Sequence, residues 1–125
     1  MKNTINICVV GLGRAGHFHL TSIKQLDSLS LHSVVDTNEK LAKDVAEQYN
    51  CQWSATLPEL LEDDALDAVV VASPTDAHFE YIKQALQAGK HVFTEKPVGH
   101  TVAEINTCFE LATQHNRALH LGFQR

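Results

Sequence analysis

The stretch from Ile5 to Gly16, read Ile-Asn-Ile-Cys-Val-Val-Gly-Leu-Gly-Arg-Ala-Gly, constrains the fold more than any other part of this 125-residue chain. Six mostly apolar, β-favouring residues run directly into Gly11, Gly13 and Gly16, and the segment from Ala15 to Leu26 has helical character. The pattern is strand, glycine turn, helix. Gly11 permits a tight turn off the strand, Gly13 lets backbone approach a phosphate that a Cβ would fend off, and Gly16 lets the helix pack closely. The N–H groups of the first helical turn and the positive end of the helix dipole then face the phosphates. Gly11, Leu12, Gly13, Arg14, Ala15 and Gly16 are thus a candidate pyrophosphate cradle; the alternative is a glycine turn with no ligand.

Asp36 strengthens the first reading. It lies 20 positions beyond Gly16 and ends a second apolar run, Leu31 to Val35. A carboxylate there can accept hydrogen bonds from the ribose hydroxyls of an adenosine. It would repel a 2′-phosphate, and the neighbouring Thr37 and Asn38 supply no cation, so the expected cofactor is NAD rather than NADP. The competing role, a cap for the next helix, is compatible with the first.

The chain is 44% hydrophobic and 20% charged with three prolines, as expected of one globular domain that buries roughly two thirds of its unfolded surface. The net charge of −5 gives no general attraction to nucleic acid or anionic lipid, so neither is expected as a partner. Cys8, Cys51 and Cys108 are odd in number and set in apolar segments, which suits reduced thiols in a cytoplasmic protein. No signal peptide is expected ahead of the first strand, and no apolar run of these 125 residues is long enough to span a bilayer. No metal site is expected: there is no CxxC, and His17 and His19, two apart, point to different faces of their helix.

The remaining chain alternates. A strand over 31–35 precedes a helix with Leu41, Ala42, Val45, Ala46 and Tyr49 at helical spacing, ended by Asn50. Residues 51–54 read as a third strand, and Thr56 with Glu59 as a capping box opening a short helix through Leu61. Residues 67–72, apolar on both faces, read as a central parallel strand. Ser73-Pro74-Thr75 turns into a helix with Phe79, Ile82, Ala85 and Leu86 on one face, stopped by Gly89. Strand 91–94, a helix capped by Thr101 and Glu104 with Val102, Ile105, Phe109 and Ala112 on its apolar stripe, and strand 118–122 complete the series. Six strands alternating with helices predict a doubly wound α/β fold with a six-stranded parallel sheet. Gly11 to Gly16, Asp36, Ser73 to Thr75 and Glu95 to Pro97 all follow carboxyl ends of strands, where such sheets bind dinucleotides.

Lys96, in Glu95-Lys96-Pro97, stands where a nicotinamide would lie. Its ammonium could donate to a substrate hydroxyl or stabilise charge on an oxygen as hydride moves; the alternative is a solvated loop lysine. Together with the glycine loop, Asp36, Ala72-Ser73-Pro74-Thr75-Asp76-Ala77-His78 and the terminal Gly122-Phe123-Gln124-Arg125, this segment resembles the glucose–fructose oxidoreductase and inositol dehydrogenase family, nearest its inositol 2-dehydrogenase-like branch. The resemblance implies an N-terminal NAD-binding Rossmann domain. It places the pyrophosphate on Gly11, Gly13 and Gly16, the adenosine ribose on Asp36, the middle of the cofactor on Ser73, Pro74 and Thr75, and the nicotinamide ribose on Glu95. It makes Lys96 the catalytic lysine that touches a polyol or sugar hydroxyl. His78 matches the family's histidine near the dinucleotide, against the alternative of a solvent-facing residue at the start of its helix.

Members of that family continue into a second α/β domain that supplies most substrate contacts and usually the interface of a homo-oligomer. Residues 1–125 are therefore expected to form a single dinucleotide-binding domain, truncated before the substrate domain, with an exposed apolar surface that favours self-association. A non-catalytic NAD-binding module is the rival reading. An S-adenosylmethionine methyltransferase would share the glycine loop and acidic residue but gives Glu95-Lys96-Pro97 no task.

Overall fold

The computed structural model describes residues 4–73, 75–95 and 101–122, with the side chains of residues 75, 76, 95, 121 and 122 outside the described set. The strands β1 (Ile5–Val10), β2 (Leu29–Val35), β3 (Gln52–Ser54), β4 (Ala68–Val71), β5 (His91–Glu95) and β6 (Leu119–Gly122) form one sheet in the order β3-β2-β1-β4-β5-β6. Every pairing is parallel. The helices α1 (Arg14–Gln25), α2 (Glu39–Tyr49), α3 (Pro58–Leu61), α4 (Thr75–Gln87) and α5 (Val102–Gln114) connect them. The order reverses between β1 and β4, which is the switch point of a doubly wound sheet.

Two cores flank the sheet. On one side α1 and α2 cover Ile7, Val9 and Val34 with Leu20, Ile23, Ala42, Val45 and Ala46. On the other, Cys8, Val10, Val35, Val69 and Val71 meet Leu57, Leu60 and Leu61, then Ile82, Ala85 and Leu86 of α4 and Cys108 and Ala112 of α5. Strands buried on both faces have no polar side, hence the unbroken apolar runs Ile7 to Val10 in β1 and Ala68 to Val71 in β4.

Helix ends follow local chemistry. Asn38 caps α2 by accepting the Leu41 N–H at 3.2 Å, and Asn50, at φ 57, ends it. Gly89, at φ 80, ends α4 and lets the Lys90 N–H reach the Ala85 carbonyl at 3.0 Å. Thr101 caps α5 as expected, accepting the Glu104 N–H at 3.1 Å.

Three expectations need correction. The Thr56–Glu59 pair does not cap α3: the Thr56 hydroxyl donates to the Glu59 carboxylate at 3.3 Å, the cap position is Leu57, and Pro58, with no N–H to satisfy, begins the helix. On α5, Val102 is 73% and Phe109 41% exposed, while Cys108 and Ala112 are buried. The helix lies at the β6 edge of the sheet and turns only a narrow stripe inward. In β2, Ile7 pairs with Leu31 but Cys8 with Ser33, so His32 is an extra, bulged residue. A bulge transposes every later side chain to the other face, so Val34 joins Val9 and Val35 joins Val10. The alternation of Leu29 and Leu31 does not continue through the strand.

A dinucleotide crevice at the carboxyl ends of the strands

The bulge at His32 brings the end of β2 level with the end of β1, so Val35 pairs with Val10 and Asp36 follows beside Gly11. The Gly11 N–H donates to the Val35 carbonyl at 2.8 Å, closing the junction. Asp36 is held from both sides. One carboxylate oxygen accepts the Leu12 N–H and the other the Asn38 N–H, each at 2.9 Å. Asn38, not Asp36, caps α2. Each oxygen keeps lone-pair capacity for a further donor, so Asp36 is preorganised to receive hydroxyls rather than consumed by the fold.

The three glycines serve three purposes. Gly11 has φ +93, and a Cβ on it would stand 2.6 Å from Ser73 backbone atoms, so here the first loop lies directly on the loop after β4. A Cβ on Gly16 would stand 1.9 Å from the Gly11 carbonyl oxygen, so α1 packs on the turn itself more than on the strand. Gly13 is different: its φ is −76 and a Cβ would meet nothing within 4 Å. Neither backbone conformation nor internal packing demands glycine there. Glycine suits the cap position of α1 and also leaves the backbone open to a ligand, so the residues present fit a dinucleotide.

The N-terminus of α1 suits an anion as well. Gly13 occupies its cap position with no side-chain cap, and its first turn carries no acidic residue, whereas α2 and α5 have capping side chains and a glutamate there. Arg14 is exposed at the start of the helix and Ala15 half-buried. Leu12 contributes backbone only, because its side chain is buried in the core beneath the loop.

Gly11, Asp36 and Ser73 line a common cavity of about 180 Å³ with Val10, Val35, Thr37, Ala77 and Tyr81. Three of the four segments expected to converge therefore do so. For the fourth, the backbone of Glu95 ends β5 beside β4, while Lys96, Pro97 and the Glu95 side chain lie outside the described residues, as do Pro74 and the Thr75 side chain. Buried Thr94 supports that end of the sheet by donating its hydroxyl to the Val71 carbonyl at 3.2 Å.

His78 is 4% exposed, which rules out the solvent-facing alternative. Its Nε2–H donates to the Ser73 carbonyl at 2.6 Å, so it braces the loop after β4 from behind. Tyr81 escaped the sequence reading, though its position one helical turn beyond Ala77 could have signalled it. Burial, and secondarily the charge of Asp36, pushes its phenol above the ordinary value of 10. Among the described residues no group of histidine, cysteine and carboxylate side chains is placed to hold a metal, and no helix is long and apolar enough to cross a membrane.

Comparison with known proteins agrees with this geometry. A profile of the oxidoreductase family with an NAD-binding Rossmann fold matches residues 5–123. Myo-inositol 2-dehydrogenase of Thermotoga maritima is 34% identical over 97% of the chain, which spans 36% of that protein. Among solved structures, a probable dehydrogenase of Thermotoga maritima superposes with a TM-score of 0.90 at 32% identity, over 94% of this chain and 36% of that one. GenD2 of gentamicin A biosynthesis, in complex with NAD, gives 0.92 at 29% identity, over 96% and 34%. The chain thus spans just over a third of the proteins it matches.

Proposed function

The chain belongs to the oxidoreductase family with the NAD-binding Rossmann fold, and from that premise we propose that it serves as the cofactor half of a dehydrogenase acting on a secondary alcohol of a cyclitol, sugar or related polyol. Gly13 supports the cofactor side of the reading: no protein atom approaches it, so beyond its place as a helix cap its missing side chain leaves room for a ligand against the backbone. The inositol dehydrogenases among its relatives support the substrate class.

When bound, NAD supplies the hydride acceptor. In this reading residues 1–125 act as one dinucleotide-binding domain. Backbone amides along Gly11, Leu12, Gly13, Arg14, Ala15 and Gly16 hold the pyrophosphate at the start of α1. Asp36 accepts the adenosine ribose hydroxyls and disfavours a 2′-phosphate, because a second anion there would face the carboxylate with no cation among the described residues that line the cavity. Ser73, Pro74 and Thr75 border the middle of the cofactor, with His78 bracing them through the Ser73 carbonyl. Glu95 receives the nicotinamide ribose. Lys96 donates to the substrate oxygen and stabilises the negative charge that develops there as the hydroxyl proton passes to a base, charge that is consumed when hydride leaves the adjoining carbon. The substrate is a small molecule, the complete enzyme a homo-oligomer, and its site of action the cytoplasm.

Calorimetric titration with NAD and with NADP tests the cofactor assignment. Saturable binding of NAD alone is expected; a folded chain that binds neither overturns it. The substrate class is tested in the natural polypeptide that carries this sequence. Reduced nicotinamide should form with inositols or sugars and not with α-hydroxy acids, and the reverse order would overturn the polyol assignment.

A further inference from the structure

The cavity beside Asp36 has a wall that the dinucleotide reading leaves without a task. Gly11 and Ser73 border it at the mouth of the glycine loop, where the phosphates begin, and Asp36 stands next as the acceptor for ribose hydroxyls. The base of an adenosine continues beyond its ribose, away from the phosphates. The remaining lining is Val10, Val35, Thr37, Ala77 and Tyr81, and of these Tyr81 alone offers an aromatic surface. It is half-buried, with its inner side packed on the core of α4 and α5.

We propose that Tyr81 is a further binding residue for the adenosine end of the cofactor, its ring forming the wall against which the adenine base lies once Asp36 holds the ribose. The inference rests on the NAD-binding reading above and goes beyond it by naming what recognises the base. A purine is a flat, polarisable ring, and an aromatic wall beside it gains contact that an aliphatic wall of similar size does not. Ala77, one turn earlier on the same face of α4, keeps the space in front of the ring clear, because its side chain is a single methyl.

The test compares the native chain with Tyr81→Phe and Tyr81→Leu by calorimetric titration with NAD and with ADP-ribose, which lacks the nicotinamide. Leucine keeps the apolar contact with the core but removes the ring, and phenylalanine keeps the ring. Tyr81→Phe should bind both ligands within about threefold of native. Tyr81→Leu should bind both about tenfold more weakly, and by the same factor, because the loss belongs to the half they share. Native affinity in Tyr81→Leu, a loss for NAD but not for ADP-ribose, or an equal loss in Tyr81→Phe would each overturn the assignment. A second readout needs no substitution: ADP-ribose should shift the ring resonances of Tyr81 in the native chain and leave those of Tyr49 in place, and unmoved Tyr81 signals would overturn it. Failure of the native chain to bind either ligand would instead bring down the NAD reading, and it would show before any variant is made.

Discussion

At the scale of single residues, the glycines separate what the fold needs from what a ligand needs. Gly16→Ala forces a Cβ to 1.9 Å from the Gly11 carbonyl, so it should destabilise the chain by about 3 kcal/mol or more, as overpacked positions do. Gly13→Ala meets no protein atom and should lose only about 1 kcal/mol, from the weaker cap that alanine makes, yet bind NAD at least tenfold more weakly. Urea unfolding and calorimetric titration on both variants check the contrast, and a Gly13→Ala chain with native affinity would reduce that glycine to a helix cap. Asp36 has both roles at once. Asp36→Ala strands the part-buried N–H of Leu12 and leaves the exposed one of Asn38 to water, so unfolding without any nucleotide should show a loss of about 1–3 kcal/mol, set mainly by Leu12. Added NAD should then stabilise the variant far less than the native chain. The sequence placed Asp36 in the crevice through its spacing from Gly16. It could not show the two amides that fix the carboxylate, because one of them belongs to a loop whose backbone direction depends on the register of β2.

At the scale of elements, that register depends on the bulge at His32, and the bulge is pinned by a polar chain through the sheet. Burial pushes the Cys8 thiol up to about 12, so it stays protonated and can donate to Ser33. The Ser33 hydroxyl donates to His32 Nδ1 at 2.8 Å, and His32 Nε2–H donates to Asp63 at 2.8 Å. Asp63, in the loop between α3 and β4, also accepts the Ala65 N–H at 2.8 Å. The hydrogen bond from His32, then the one from Ala65, holds the Asp63 carboxyl below its ordinary 3.8. A carboxyl whose folded pKa is depressed contributes stability that is fully present above the unfolded value and disappears as pH falls through the folded one. Native stability should therefore fall as pH drops below about 4 more steeply than that of Asp63→Asn, when both are followed by urea midpoints. Parallel acid profiles would show that the pin contributes nothing. The elements themselves were largely legible, since glycine, asparagine and threonine at helix ends and valine runs in β1 and β4 are local signals. The bulge was not, because an extra residue in one strand shows only against its partner. The inward stripe of α5 was not, because a helix at the edge of a sheet buries less than its apolar pattern offers.

At the scale of the whole molecule, the two faces of the sheet are covered unequally. The helices α3, α4 and α5 share one core, but α1 and α2 on the other face gather mainly over β1 and β2. Toward β5 and β6 that second face carries a run of rings in place of a helix. His19 of α1 meets Phe93 of β5 edge-on at 5.6 Å, Phe93 stacks on His120 of β6 at 5.8 Å, and Phe18, 68% exposed, lies edge-on to His19 at 5.6 Å. A parallel sheet is ordinarily sheltered on both faces, and a contiguous apolar patch in water favours association. The apparent mass of the chain in sedimentation velocity should accordingly rise with concentration. Phe18→Ser, which removes the most exposed ring without touching the core, should shift that rise to higher concentration and leave the melting temperature within a few degrees. A single monomeric boundary at all concentrations would show that the rings satisfy one another, and an unchanged rise in Phe18→Ser would move the contact to another surface, with exposed Val102 and Phe109 of α5 as the next to substitute.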